Sequence, residues 1–365
     1  MERFKASGFA YLGRVRLAEA PARPRKEAAF VSRAGPPQAA QRANGTGEGR
    51  AAVSPGWSTT SDKHVLRYTP SGDVYYSRLP AAAYKDPLRL PPTLPPATSP
   101  YAPSSPYAPA AAGPLPGAAA FATDAPGAME AWPPAAAGTW AARGLRMIIG
   151  ADERAPCGQP PKFPLTAVGE LEFVTQGQDY ICSGALVRRD RVLTAAHCVW
   201  SIAERTFVKG VAFSAGRFRT DGGAVVSPFG SQRWRHVTLI SDLPSVSVAG
   251  SDLALIELDA EVSHEAGTLG VDASCGPREA RGLTVATAGY ASDKYNGQCV
   301  TDSCRVAWAC GADATSHTCD TYMGQSGSPF WDEHNMVRGV HVRGMPTVNE
   351  FSNVNAQTLR AILLK

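Results

Sequence analysis

All eight cysteines of the chain lie after residue 146, whereas 21 of its 30 prolines lie before it. The first part carries 17 basic and 9 acidic residues, a net charge of +8, and the second carries 19 and 23, a net charge of −4. This break predicts two units, a leader over 1–146 and a compact domain over 147–365. The overall charge of +4 is too small to indicate a nucleic-acid-binding protein. No run of 18 apolar residues occurs, so we expect no membrane span.

The leader is expected to be mostly disordered. Residues 87–134 consist largely of proline and alanine, which cannot bury enough apolar surface to offset the loss of chain entropy. Residues 64–79 are the exception, because they predict two short strands around the turn Pro70-Ser71-Gly72. A secretory signal is not convincing, since the apolar stretch 8–13 is cut short by Arg14.

Three short segments of the second part carry chemistry. They are LTAAHC (193–198) around His197, SDLALIEL (251–258) around Asp252 and DTYMGQSGSP (320–329) around Ser326. Acyl transfer needs a nucleophile, a base that takes its proton and a carboxylate that orients the base. Each segment alone is usually a turn or a core strand. Their joint occurrence in the order His, Asp, Ser is the order of the chymotrypsin type.

At these residues the chain resembles the chymotrypsin-like serine proteases and, more closely, their glutamyl endopeptidase branch. The resemblance rests on GQSGSP (324–329) around the serine, on IIGADER (148–154) and on GVHVRG (339–344) near the end. It implies an all-β fold of two antiparallel six-stranded β-barrels over 147–365. A short C-terminal helix is expected over 356–364, where apolar residues form a stripe.

The resemblance assigns roles to individual residues. His197 is the expected general base, Asp252 its orienting carboxylate and Ser326 the nucleophile. The backbone amides of Gly324 and Ser326 are expected to form the oxyanion hole, because a glycine before the serine allows the sharp turn that aims them. No cofactor or metal is required for this chemistry.

The same comparison implies a specificity pocket. Thr321 and His341 match positions that hold the substrate glutamate in the branch, and a hydroxyl and an imidazole can both donate to a carboxylate. We therefore expect cleavage after Glu, and also after Asp. Asp320 leaves an alternative open, since trypsin-like enzymes place there the aspartate that selects Arg or Lys. A non-catalytic binding protein on the same fold is a further alternative.

Maturation is expected to differ from that of trypsin. Trypsin-like zymogens pair a freed N-terminal amine with an aspartate before the nucleophile, and here that position is Gln325. In the glutamyl branch the freed amine helps to neutralise the substrate carboxylate instead. Arg146 is the predicted cleavage point, which makes residues 1–146 a pro-region.

Eight cysteines in the second part favour disulfides and an oxidising compartment, so we expect a secreted or lumenal protein. The resemblance implies that Cys182 pairs with Cys198, and Cys319 is expected to join Cys299, Cys304 or Cys310. Zinc binding by these last four cysteines with His317 is less favoured, because the short Cys-x-x-Cys spacing is missing. We expect a monomer that acts on peptides or proteins.

Overall fold

The computed structural model describes residues 10–14, 63–79, 89–103, 147–201, 204, 206–239, 252–308, 312–345, 347–355 and 359. β-Strands dominate these residues, as the sequence predicts. In chain order the strands are β1 (Ala10–Arg14), β2 (Lys63–Tyr68), β3 (Asp73–Leu79), β4 (Arg89–Leu90), β5 (Ala155–Pro156), β6 (Val168–Thr175), β7 (Gln178–Arg188), β8 (Arg191–Thr194), β9 (Trp200–Ser201), β10 (Thr206–Phe207), β11 (Lys209–Ala215), β12 (Phe218–Arg219), β13 (Val225–Val226), β14 (Gln232–Leu239), β15 (Ala254–Leu258), β16 (Gly270–Asp272), β17 (Leu283–Tyr290), β18 (Cys299–Val306), β19 (Ala314–His317), β20 (Pro329–Trp331), β21 (Met336–Gly344) and β22 (Asn349–Asn353).

Helical segments among the described residues are short. They are α1 (Pro277–Ala280) and the 3-10 turns Leu165–Ala167, Ala196–Cys198 and His264–Ala266. The predicted C-terminal helix over 356–364 lies, apart from Leu359, outside the described residues. Within the part of the chain that the structure describes, no helix has the length and apolar character needed to cross a bilayer.

The first sheet closes into a six-stranded antiparallel barrel. Its order is β14-β11-β6-β7-β8-β15, and β15 pairs back onto β14. Closure pairs each strand of the ring with two neighbours and encloses an apolar core. Its deeply buried large side chains include Leu171, Leu186, Leu193, Phe213 and Leu239. This sheet confirms the first of the two predicted six-stranded barrels.

The second sheet also uses six antiparallel strands, in the order β19-β22-β21-β20-β17-β18. Among the described residues, no backbone ladder joins its two ends, β18 and β19. Two other bonds span this gap. A disulfide links Cys304 to Cys319, and the N–H of Asp320 donates to Asp302 Oδ2 at 2.6 Å. Side-chain and covalent links therefore hold the two ends together where ladder hydrogen bonds are missing.

Part of the predicted leader extends the first barrel. Strands β2 and β3 form the predicted hairpin, and residues 66–68 of β2 pair with residues 237–239 of β14. Tyr68 is fully buried and its ring stacks on that of Phe207, with 3.9 Å between the ring centroids. Arg67 is buried beside it and donates to Thr238 Oγ1 at 3.2 Å. The predicted hairpin is therefore confirmed, and it is held in place because it buries its apolar side chains on a neighbouring strand.

A second leader segment, 89–103, packs on the same domain. β4 pairs with β16, and Thr93 and Thr268 bond each other through their backbones. This proline-rich segment is extended as expected, but contacts with residues far along the chain hold it in place. Composition describes only the segment itself and not its contacts, so it predicted disorder for these residues.

We expect Tyr68→Ala to lower the free energy of unfolding by about 3 kcal/mol, because it removes a buried aromatic ring and leaves a cavity. Urea denaturation of the full chain measures this change. Tyr295→Ala is the matched control, since Tyr295 is 72% exposed and its loss should cost less than about 0.5 kcal/mol. Equal effects of the two substitutions would show that the leader hairpin does not pack on the barrel.

Candidate active site

His197 and Asp252 meet because their strands are neighbours. His197 lies in the 3-10 turn after β8, Asp252 lies two residues before β15, and β8 pairs with β15. Asp252 Oδ2 lies 2.6 Å from His197 Nδ1, and Asp252 Oδ1 accepts the backbone N–H of His197 at 2.9 Å. Both side chains are buried. This two-point contact places the proton on Nδ1, so that Nε2 carries the lone pair that a general base needs.

Ser326 follows the tight turn before β20 and is partly exposed. Its carbonyl oxygen accepts the N–H of Ser183 on β7 at 2.7 Å. Cys198 Sγ lies 3.6 Å from the same oxygen, and Cys198 adjoins His197. The structure therefore brings the Ser326 turn from the second sheet against the element that carries His197.

Two glycines are required around Ser326. Gly324 has φ +91° and Gly327 has φ +86°, values that side-chain-bearing residues rarely adopt. A Cβ on Gly324 would lie 2.5 Å from the carbonyl oxygen of Tyr290, and one on Gly327 would collide with Ser183. Within the described residues, no hydrogen bond uses the N–H of Gly324 or of Ser326. These two amides are therefore available to an oxyanion.

Thr321 and His341 are buried near this turn. The N–H of His341 donates to the carbonyl of Ser328 at 2.8 Å, and its carbonyl accepts the N–H of Gly327. Thr321 Oγ1 and His341 Nδ1 have no hydrogen-bond partner within the described part of the chain. Burial, with a smaller contribution from His197, lowers the pKa of His341 to about 3. The His341 ring is therefore neutral at physiological pH and can donate one N–H.

Asp320 is engaged elsewhere. One carboxylate oxygen accepts the N–H of Ile149 at 2.7 Å, and the other accepts the N–H of Glu153 at 2.9 Å. Burial raises the pKa of the neighbouring Asp302, and the charges of Asp320 and Glu153 add to this effect. The Asp320 carboxylate thus anchors the chain segment 149–153, which the position of Asp320 in the sequence does not reveal.

His317 is a neighbour of this site that sequence reasoning considered only as a zinc ligand. Its ring centroid lies 5.6 Å from that of His341, and burial lowers its pKa well below the usual value. Cys304, His317 and Cys319 do lie together, but the two sulfurs form a disulfide and leave no thiolate to bind zinc. The sequence did carry a signal that His317 is buried. Residues alternate between the two sides of β19, and this alternation places His317 on the buried side.

The disulfides described are Cys157–Cys299, Cys182–Cys198 and Cys304–Cys319. Cys275 is disulfide-bonded as well. Of the three partners considered for Cys319, the structure selects Cys304. The predicted cleavage point, Arg146, lies outside the described residues.

Several curated proteins are similar to part of this chain. The chain is 26% identical over 189 residues to a protein named Glutamyl endopeptidase from Bacillus licheniformis, covering 52% of this chain and 56% of that protein. It is 26% identical over 208 residues to a protein named Extracellular metalloprotease from Bacillus subtilis, covering 55% and 64%. The chain thus spans between about half and two thirds of the length of these curated relatives.

A solved structure described as Glu endopeptidase in complex with MPD superposes with a TM-score of 0.51 at 22% sequence identity. The match covers 59% of this chain and 97% of that one, which supports the trypsin-like fold. The sequence model of the Trypsin family matches residues 160–357, more than half of the chain. The chain therefore belongs to the Trypsin family.

Proposed function

We propose that this protein is a serine endopeptidase that uses His197, Asp252 and Ser326 as its catalytic residues. The observation that carries the proposal is the two-point contact of Asp252 with His197 beside the Ser326 turn. A carboxylate that served only to cap the 3-10 turn Ala196–Cys198 would need only the hydrogen bond from the backbone N–H of His197. The second bond, to Nδ1, orients the ring for proton transfer.

In this mechanism the Ser326 hydroxyl attacks the peptide carbonyl and gives its proton to His197 Nε2. The Asp252 carboxylate stabilises the imidazolium that forms, and the amides of Gly324 and Ser326 donate to the oxyanion. His197 then protonates the leaving amine, and water releases the acyl group by the same steps in reverse. All these roles are filled by the protein's own side chains and backbone.

A preference for glutamate before the scissile bond is the second part of the proposal. Among the residues that the structure describes, Thr321 Oγ1 and His341 Nδ1 are buried polar atoms without hydrogen-bond partners, which normally costs free energy unless a ligand satisfies them. A substrate carboxylate would supply the missing acceptor for the Thr321 hydroxyl, and for His341 Nδ1 in the tautomer that carries the ring proton there. The Arg/Lys alternative has less support, because the two oxygens of Asp320 already accept backbone N–H groups.

Cleavage after Arg146 would complete this pocket. The carbonyl of Met147 accepts the N–H of Thr321 at 3.3 Å and the Asn349 side chain at 2.8 Å. A free amine on Met147 would therefore begin beside Thr321 and add a positive charge near the substrate carboxylate. The disulfides fit a secreted enzyme that acts on peptides or proteins.

We expect Thr321→Val to lower kcat/KM for a Glu peptide by about 10- to 100-fold, the usual effect of losing a hydrogen bond to a charged group. The full chain would be incubated with matched peptides carrying Glu, Gln or Lys before the scissile bond. Hydrolysis of the Gln peptide should change much less, because it lacks the charge that the hydroxyl helps to bind.

Ser326→Ala is the control for contaminating proteases and should abolish all cleavage. A preference for the Lys peptide would instead assign the pocket to Asp320. Correctly folded protein that cleaves no peptide, before or after cutting at Arg146, would favour the non-catalytic binding protein.

The buried histidines predict an acid-sensitive fold. Burial holds the pKa of His341 near 3, whereas an unfolded histidine titrates near 6.5. The unfolded state therefore binds more protons between these values, and this part of the stability is complete above about pH 6.5 and lost as the pH falls toward 3. We expect His341→Gln to flatten the fall in the free energy of unfolding between pH 7 and pH 4.

Urea denaturation at several pH values measures this slope. The exposed His334 provides the control, and His334→Gln should keep the wild-type slope. If His341→Gln also keeps it, His341 is not held neutral by burial.

A further inference from the structure

Gln325, the residue before the proposed nucleophile, closes the turn that carries the two oxyanion amides. Its backbone N–H donates to the carbonyl of Tyr322, and its side-chain Oε1 accepts the N–H of Tyr322, each at 2.9 Å. Oε1 also accepts Arg154 Nη1 at 3.1 Å. The side chain of Gln325 is buried, so these contacts are shielded from water.

Arg154 uses all five of its N–H donors. Nε and Nη2 donate to the two oxygens of Asp152, each at 2.9 Å. Nη1 and Nη2 donate to the two oxygens of Asp293, at 3.1 and 2.5 Å, and Nη1 also reaches Gln325. The side chain is fully buried, so its charge depends on these two carboxylates. A guanidinium whose five donors are all engaged is held in one position.

The same arginine reaches both sides of the turn. Asp293 follows Ser292, whose N–H donates to the carbonyl of Met323 at 2.7 Å. Arg154 therefore contacts Gln325 directly. It also contacts Asp293, which adjoins Ser292, the residue bonded to Met323. Gly324, whose amide would serve the oxyanion, lies between these two points.

Arg154 is anchored without help from a free chain end. The preceding residue, Glu153, donates its N–H to Asp320, and the following strand β5 pairs with β18. Cys157, three residues further on, is bonded to Cys299. These anchors are all present in the uncut chain.

We propose that Arg154 is a positioning residue that holds the oxyanion turn in its working geometry before any cleavage at Arg146. The freed amine is then not needed to build the oxyanion hole, and cutting at Arg146 acts on the binding of the substrate carboxylate alone. The inference rests on the proposed role of Ser326 as nucleophile. In trypsin-like enzymes the freed amine contacts the residue before the nucleophile. Here the guanidinium of Arg154 contacts that residue, Gln325.

An alkyl fluorophosphonate tests this proposal, because it is small and uncharged and needs no carboxylate pocket. Ser326 Oγ forms a bond to phosphorus, fluoride leaves, and the hydroxyl proton passes to His197. The full chain carrying Arg146→Gln, which stays uncut, should be labelled at Ser326. Adding Arg154→Met should slow labelling about 100-fold, the typical effect of losing one oxyanion donor.

Arg338→Met is the matched control. Arg338 is an equally buried arginine that pairs with Asp272 and Glu279, away from the turn. Its loss should destabilise the fold but change labelling by less than about threefold. Arg154→Lys should restore part of the rate, because a cation remains beside Gln325. With a cleavable peptide, Arg154→Met should lower kcat far more than it changes KM.

Gln325→Met provides a second variant if Arg154→Met does not fold, and it should also slow labelling. A normal labelling rate in folded Arg154→Met overturns the proposal. If that variant does not fold, a normal labelling rate in folded Gln325→Met overturns it instead. An equal loss of labelling rate in Arg338→Met also overturns it. Labelling of the wild-type chain only after cleavage at Arg146, with no labelling of the Arg146→Gln chain, overturns it too. A wild-type chain that is never labelled, before or after cleavage, contradicts the proposed function instead.

Discussion

The hydrogen bonds of Ser183 join the first barrel to the second sheet, and the candidate site depends on them. Its N–H donates to the carbonyl of Ser326, and its hydroxyl donates to the carbonyl of Gly324 at 3.0 Å. The same hydroxyl accepts the N–H of Tyr290, and its carbonyl accepts Thr194 Oγ1, each at 2.8 Å. One fully buried residue of the first barrel thus fixes the Ser326 turn of the second sheet. Since His197 follows β8, the neighbour of β7, this contact sets the distance between His197 and Ser326.

Local sequence predicted those parts of the site that depend on residue type and order. The segments around His197, Asp252 and Ser326 each combine a reactive side chain with a short run that fixes its backbone, so motif and order were sufficient to nominate them. The all-β barrel architecture followed from the family that these segments resemble, and the closed first barrel confirms it.

Features that depend on contacts between distant segments could not be predicted in this way. The two oxygens of Asp320 face Ile149 and Glu153, which lie about 170 positions earlier in the chain. Arg154 donates to Gln325, and neither residue type predicts this contact. The leader hairpin was predicted as a hairpin, but its docking on β14 requires knowing which strand of the barrel still offers free backbone groups.

The docked hairpin also changes what cleavage after Arg146 would produce. Residues 237–239 of β14 pair with β15 on one side and with the leader on the other, so a cut 78 residues beyond Tyr68 breaks no contact between them. The mature molecule would then be a two-chain protein with a non-covalently held light chain. A gene shortened to begin at Met147 would leave this part of β14 as an open, apolar edge, which invites pairing with other molecules.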